Sequence, residues 1–289
     1  MNKKTALGLT PLLLPALLLY CAFLLIPIFQ SVYMSFFSWK GIASIPMVFV
    51  GFSNYVKTFA SPRFWVSIVN TGWFIAGGFI VLMPLSFALA LVITSRLRNI
   101  RFFKTAYFLP VVLPITAISL IWSYLLYPNG GLVNSLLEMA GIKGANWLGD
   151  PRYAIFTVVL VNEWIYAGLN MLIFAAGMMA IPEELYEAAT IDGAGSIQRI
   201  FFITIPNLSE SFKIFSILCV TGCLRSFDLI FVMTNGGPAH ATEMPALLLY
   251  NEAFKYQNFG GGNSIGVFIL VVGLGLSLLF NKFIATEGN

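Results

Sequence analysis

The chain has 289 residues, of which 58% are hydrophobic and only 10% charged, with a net charge of +4 and a mean hydropathy of +0.86. A soluble domain of this size could not cover that composition with a polar surface, so the chain is read as an integral membrane protein. The small positive charge lies in loops beside apolar runs and gives no reason to expect a nucleic-acid partner.

The charges are clustered. No Asp, Glu, Lys or Arg occurs between Lys4 and Lys40, Arg63 and Arg96, Lys104 and Glu138, or Lys255 and Lys282, and each gap can hold a span of about 20 residues. Two further apolar runs, Tyr153 to Ile181 and Ile214 to Met233, are long enough to cross but contain Glu163 in one and Arg225 with Asp228 in the other. The expected fold is therefore all-α: one transmembrane domain over residues 1–289, with six helices at approximately 10–37, 66–95, 105–127, 153–181, 212–235 and 264–284.

The first run exceeds one crossing and carries Pro11, Pro15 and Pro27, so it is expected to begin at the interface and kink near Pro27. A cleaved signal peptide competes with this reading, but the run is longer than a signal core and no small-residue cleavage site follows promptly. With the N-terminus inside, Lys3, Lys4, Arg96, Arg98, Arg101, Lys104, Arg199, Lys213 and Lys282 are cytoplasmic, against Lys40, Lys57, Arg63, Lys143, Arg152 and Lys255 outside. The short connection from Arg96 to Lys104, with its four cations, decides that orientation.

The loop 182–211, between the fourth and fifth runs, is polar where its surroundings are not. Pro182 suits a first helical turn, and Glu183 and Glu184 sit where the helix dipole favours anions. Leu185, Ala188 and Ala189 form a narrow face that another protein could approach closely. Gly193 is expected to end this helix in a left-handed conformation, and Ser196 to cap a second one running through Ile205 to Pro206. Composition alone leaves open whether this hairpin docks a partner or merely closes a loop.

Charges inside a membrane mark a pathway or a buried pair. Glu163 and Arg225 fall near the middle of their runs. On helical spacing Glu163, Tyr166 and Asn170 share one face, and Thr221, Arg225 and Asp228 another. Two readings stand: these residues line a substrate path, or Arg225 and Asp228 neutralise each other while Glu163 bonds a neighbouring helix. Trp122, Tyr124, Trp164 and Phe227 could offer flat faces to sugar rings, although such aromatics also serve as packing and interface residues. His240 is the only histidine, and Cys21, Cys219 and Cys223 lie in apolar runs, so no metal site or histidine-based catalytic group is expected. The chain has no phosphate-loop motif with which to hydrolyse ATP.

The run Glu187-Ala188-Ala189, then Asp192-Gly193-Ala194, Ile203 and Pro206, resembles the EAA motif of ABC importer permeases in the spacing of the carbohydrate-uptake branch. GFSNYVKTF at Gly51–Phe59, NWLGDP at Asn146–Pro151, SFDLIFVMTNGGPAHAT at Ser226–Thr242 and EAFKYQNFGGGNSIGV at Glu252–Val267 are similar to that branch's first, maltose/glycerol-phosphate-type subunit. Ile197 and Ile200 depart from the pattern, standing where aromatics are frequent. The resemblance implies that the loop is a coupling helix seated on a cytoplasmic ATPase, with Glu187 meeting a basic residue, Ala188 and Ala189 allowing close approach, and Asp192-Gly193 making the turn. It implies a second homologous permease subunit, two ATPase subunits that carry the ATP and Mg, and an external solute-binding protein. No cofactor is expected on this chain, which is not itself an enzyme. The implied location is the bacterial or archaeal cytoplasmic membrane, with both termini cytoplasmic, and the implied cargo is an oligosaccharide or related sugar. The alternative from another class is an ion-coupled carrier using Glu163, Asp228 and Arg225 as a relay.

Overall fold

The structure is a computed structural model that describes residues 14–42, 44–95 and 100–285. Lys3, Lys4, Pro11, Arg96 and Arg98 lie outside the described residues. Helix α1 spans Leu14–Met34 and leads into a short antiparallel pair, β1 (Phe37–Ser38) and β2 (Val48–Phe49), with Phe37 opposite Phe49. Next come α2 (Ser53–Ala60), α3 (Pro62–Thr94), α4 (Ile100–Val112), α5 (Ile115–Leu125), α6 (Leu132–Met139) and the long α7 (Pro151–Met179). They are followed by α8 (Glu183–Ile191), α9 (Ser196–Asn207), α10 (Ser209–Leu224), α11 (Asp228–Met233), α12 (Pro245–Tyr250) and α13 (Phe259–Ala285).

Among the described residues, four helices are long and apolar enough to cross a membrane: α1, α3, α7 and the Phe259–Phe280 part of α13. Two bent pairs pass the same test, α4 with α5 and α9 with α10, bent by 99° and 67°. The third apolar run is therefore not the straight helix that its composition suggests. It breaks at Leu113 and Pro114, because proline disfavours helical backbone in the residue before it and cannot continue the hydrogen-bond ladder.

Three other prolines are absorbed without a break. A five-residue π-helical segment stands ahead of each: Cys21–Leu25 before Pro27, Gly78–Leu82 before Pro84, and Ile200–Thr204 before Pro206. A proline ring crowds the carbonyl four residues earlier and offers it no N–H. A widened turn, in which Ile26, Met83 and Ile205 donate to the carbonyls of Cys21, Gly78 and Ile200, gives that ring room. Near Pro27, where a kink is expected from the sequence, α1 runs on without a break, with the π-helical segment inside it.

The described residues pack as two compact units, one within Met1–Phe64 and Leu248–Leu270, the other within Trp65–Leu247 and Val271–Asn289. In the first, the buried Asn54 amide donates to the Ser35 and Phe37 carbonyls at 2.8 and 3.0 Å, and Phe59, Phe64 and Phe268 meet edge to face. The second is built around α7: 67% of its most apolar window is buried, against none of α1's, so α7 is a central post while α1 turns its side chains outward. Phe74, Phe174 and Phe215 are fully buried there. Gly168 lets α7 approach the backbone of α4, since a side chain at that position would overlap the Tyr107 carbonyl.

Candidate functional site

Four residues of α7, Val159, Glu163, Tyr166 and Asn170, recur at helical spacing, and the last three face a cavity of about 480 Å³. Arg225 and Asp228 line the same cavity, so the structure brings together five of the six residues that helical spacing placed on the two faces. It does so by a different route from the one expected. Arg225 and Asp228 do not share a helix: α10 ends at Leu224, Arg225 is its C-cap at φ −103°, and α11 begins at Asp228. Both side chains are exposed, and among the described residues they form no ion pair with each other. Thr221, assigned to the same face, donates to the Ile217 carbonyl of its own helix at 2.6 Å.

Glu163 is 1% exposed. Its Oε1 accepts only a long 3.5 Å bond from the Asn162 amide, and its Oε2 has no hydrogen-bond partner among the described residues. The carboxylate fits because α3 carries glycines opposite it. A Cβ on Gly77 would overlap Val159 Cγ1 and come within 3.2 Å of Glu163 Oε1, while one on Gly78 would overlap Cys219 Sγ. Asn170 turns its amide back to the Tyr166 carbonyl at 3.0 Å. Of the four aromatics considered for sugar contact, only Phe227 lines the cavity, stacked on Phe231 at 5.1 Å. Trp122 and Trp164 pack edge to face on each other at 5.4 Å, and Tyr124 is 75% exposed.

The second candidate region is the hairpin of α8 and α9. Pro182 is the residue before α8 rather than its first turn, and Asp192 ends the helix. Gly193 follows at φ +79°, its N–H donating to the Thr190 carbonyl while that of Ala194 reaches Ala189 at 2.8 Å. These paired bonds satisfy carbonyls that the helix end would leave open, and they need a left-handed residue between them. Gly195, not Ser196, stands at the start of α9, where its N–H donates to Gln198 Oε1 at 2.8 Å. The Ser196 hydroxyl instead accepts from Arg199, whose guanidinium also reaches Thr190 on α8 at 3.2 Å. Tyr186 and Thr204 join the two arms at 3.0 Å. The rigid hairpin leaves Glu187 and Ala188 exposed, and Glu187 forms no ion pair with a described residue. Ile191 and Ile197 are 86% and 71% exposed beside the turn.

No protein-family model matches the chain. Individual relatives do. Over 95% of this chain and 94% of the relative, it is 34% identical to the probable ABC transporter permease protein YurN of Bacillus subtilis. It is 31% identical to the trehalose/maltose transport system permease protein MalF of Thermococcus litoralis, covering 94% of this chain and 91% of that one. This chain belongs to the ABC transporter permease family. A crystal structure of a bacterial ABC transporter involved in the import of the acidic polysaccharide alginate contains a chain of the same fold, with a TM-score of 0.85 at 24% identity over 99% of this chain and 98% of that one.

The permease therefore carries in one chain a rigid exposed hairpin with the EAA residues and a cavity ringed by intramembrane charges. Asn162, Ser226 and the glycine pair Gly77-Gly78 belong to that cavity or its walls and were missed in the sequence. Two adjacent glycines inside an otherwise apolar run were the available signal, since glycine in a helix weakens it unless something must come close. Asn162 had none beyond standing next to Glu163.

Proposed function

We propose that this permease forms half of the translocation pathway of an ATP-driven carbohydrate importer, with cargo passing the cavity at Glu163, Tyr166, Asn170, Arg225 and Asp228. The hairpin seats on a cytoplasmic ATPase subunit. Its partners are a second, similar permease, two cytoplasmic ATPase subunits that bind ATP and Mg, and an external solute-binding protein; the chain itself lies in a bacterial or archaeal cytoplasmic membrane with both termini inside. The chain itself hydrolyses nothing. The naming of the Thermococcus relative for trehalose and maltose supports the carbohydrate assignment, and family membership sets the ion-coupled carrier aside.

The observation that carries the coupling role is the surface of the hairpin. A loop that only joined two helices would have no use for Ile191 and Ile197 at 86% and 71% exposure around an unpaired Glu187. A closed turn with small residues, apolar rims and exposed carboxylates is what a cleft on another protein can grip. In this arrangement Glu187 meets a cation of the ATPase, Ala188 and Ala189 allow close contact, and Asp192-Gly193 holds the turn.

Glu187→Lys reverses the docking charge. Gly193→Val forces a β-branched residue to φ +79°, which costs about 1–2 kcal/mol or more although nothing lies within 4 Å to clash with it. Both variants should insert normally while ATPase copurification and substrate-stimulated hydrolysis fall at least about tenfold. Unchanged copurification and hydrolysis in both would refute docking through this hairpin.

A further inference from the structure

Between α10 and α11 the chain leaves the helix for Arg225, Ser226 and Phe227, and this break, with Asp228 at the start of α11, presents a guanidinium, a hydroxyl, an aromatic ring and a carboxylate to one cavity. The guanidinium differs from others in the chain. Arg63 donates to Tyr256, Arg152 to Asp150, and Arg199 to Thr190 and Ser196, so each is held by a side chain of the same protein. Arg225 is exposed, lines the cavity, and has neither an ion pair nor a side-chain hydrogen bond among the described residues. Glu163, at 1% exposure, stands behind the cavity wall, so the charges that cargo can touch are Arg225 and Asp228.

Resting on the carbohydrate-path reading, we propose that Arg225 gives this cavity a preference for acidic sugars, holding a unit that carries a carboxylate, sulfonate or phosphate. A guanidinium is a planar fork of N–H donors that matches two oxygens of such a group, and both partners of the contact are then charged, whereas a neutral sugar offers only hydroxyl oxygens. Asp228 weakens this preference without reversing it. It is exposed and does not pair with Arg225, so water screens its charge across the gap between them, while an anion on Arg225 sits at hydrogen-bond distance from its countercharge. The Asp228 carboxylate and the Ser226 hydroxyl then serve the hydroxyl groups of the same unit, and Phe227 offers an apolar face to its ring. Charge, hydroxyls and ring face are thus read by four consecutive residues.

The test uses the assembled transporter in detergent, without the solute-binding protein, so that only the permease pathway selects. Equilibrium binding is measured for α- and β-1,4-linked glucose di- and trisaccharides and for their 6-carboxyl counterparts. Carboxyl forms are expected to bind at least tenfold more tightly than neutral ones at low salt, with the gap shrinking as salt is added. In Arg225→Gln, which keeps donors but loses the charge, the gap should narrow to threefold or less, and in Asp228→Asn it should widen. Carboxyl forms that bind no more tightly than neutral ones to the wild type, or that do not bind at all, would overturn the inference even if Arg225→Gln fails to assemble. So would a gap that survives intact in Arg225→Gln. ATP-dependent saccharide uptake by the complete system, measured alongside, separates the two levels. If saccharide is taken up while the charge preference is absent, only this inference fails; if no saccharide, neutral or acidic, is taken up, the carbohydrate reading fails and the inference with it.

Discussion

Asn134 and Glu163 are buried to nearly the same degree, 2% and 1% exposed, and the chain treats them in opposite ways. Asn134, on α6, uses its whole hydrogen-bonding capacity. Its amide donates to the Pro128 and Ala145 carbonyls at 3.0 and 2.9 Å, and its Oδ1 accepts from the Ala145 N–H and the Trp147 indole at 3.1 and 2.7 Å. Glu163 has one 3.5 Å contact and an oxygen with no partner among the described residues. A buried polar group that serves the fold is completed by the fold, because an open one costs more than a closed one returns. Glu163, left open behind the wall of a cavity, is not accounted for by the fold's own bonds.

The largest effect is expected where the closed network is broken. Asn134→Leu strands two carbonyls, an amide N–H and an indole N–H in the connection between α5 and α7, and at a net value of about 1 kcal/mol for each bond it should destabilise the fold by about 3–4 kcal/mol. The melting temperature of the purified permease complex reads this out. A shift within about 1 °C would mean that the four bonds do not hold the segment, and the contrast with Glu163 would lose its structural half.

A smaller effect separates the wall of the cavity from the rest of α3. Gly77→Ala places a methyl group against Val159 and Glu163, whereas Gly72→Ala, on the same helix, meets nothing within 4 Å. Overpacking should cost the first variant about 1–3 kcal/mol and weaken saccharide binding by displacing the carboxylate. The second should be neutral or slightly more stable, since alanine is the better helix former by about 1 kcal/mol. Equal melting temperatures and equal saccharide binding for both variants would show that the close approach at Gly77 does not position Glu163.

How much of this could be read from the sequence follows from where each signal lives. Gaps between charges mark the apolar runs because a span needs only length and hydropathy, and the Gly193 turn is legible because a left-handed helix end needs glycine within one short stretch. Glu163, Tyr166 and Asn170 were placed on one face by spacing along a single helix. The break at Arg225 and the 99° bend at Leu113-Pro114 were not foreseen, since apolar composition is blind to chain direction. The closeness of Gly77 to Glu163 was beyond reach for another reason: the two residues are distant in sequence and meet only through packing. Proline showed more than one outcome, breaking the chain at Pro114, widening it ahead of Pro27, Pro84 and Pro206, and standing inside α4 at Pro110.

The smallest predicted effect concerns a third polar side chain, which completes the comparison because it is partnered by a neighbour yet only half-buried. Asp150 stands before α7, accepting from the Arg152 N–H at 2.9 Å and holding that residue's guanidinium through Nε and Nη2 at 3.1 and 2.7 Å. The Arg152 side chain, followed by its backbone N–H, lowers the Asp150 carboxyl from 3.8 to about 2. A carboxyl whose pKa is lower in the folded than in the unfolded chain stabilises the fold above the unfolded value and loses that contribution as pH falls through the folded one. Asp150→Asn keeps an acceptor at the helix start but removes the charge, so wild type should melt slightly above the variant from pH 7 down to about 5. The gap should shrink below about pH 4 and close near pH 2. Because the guanidinium side is 78% exposed, water and ions weaken the pair, and added salt should narrow the gap at pH 7 as well. A gap that persisted unchanged at the acid end would assign the difference to helix capping instead of charge.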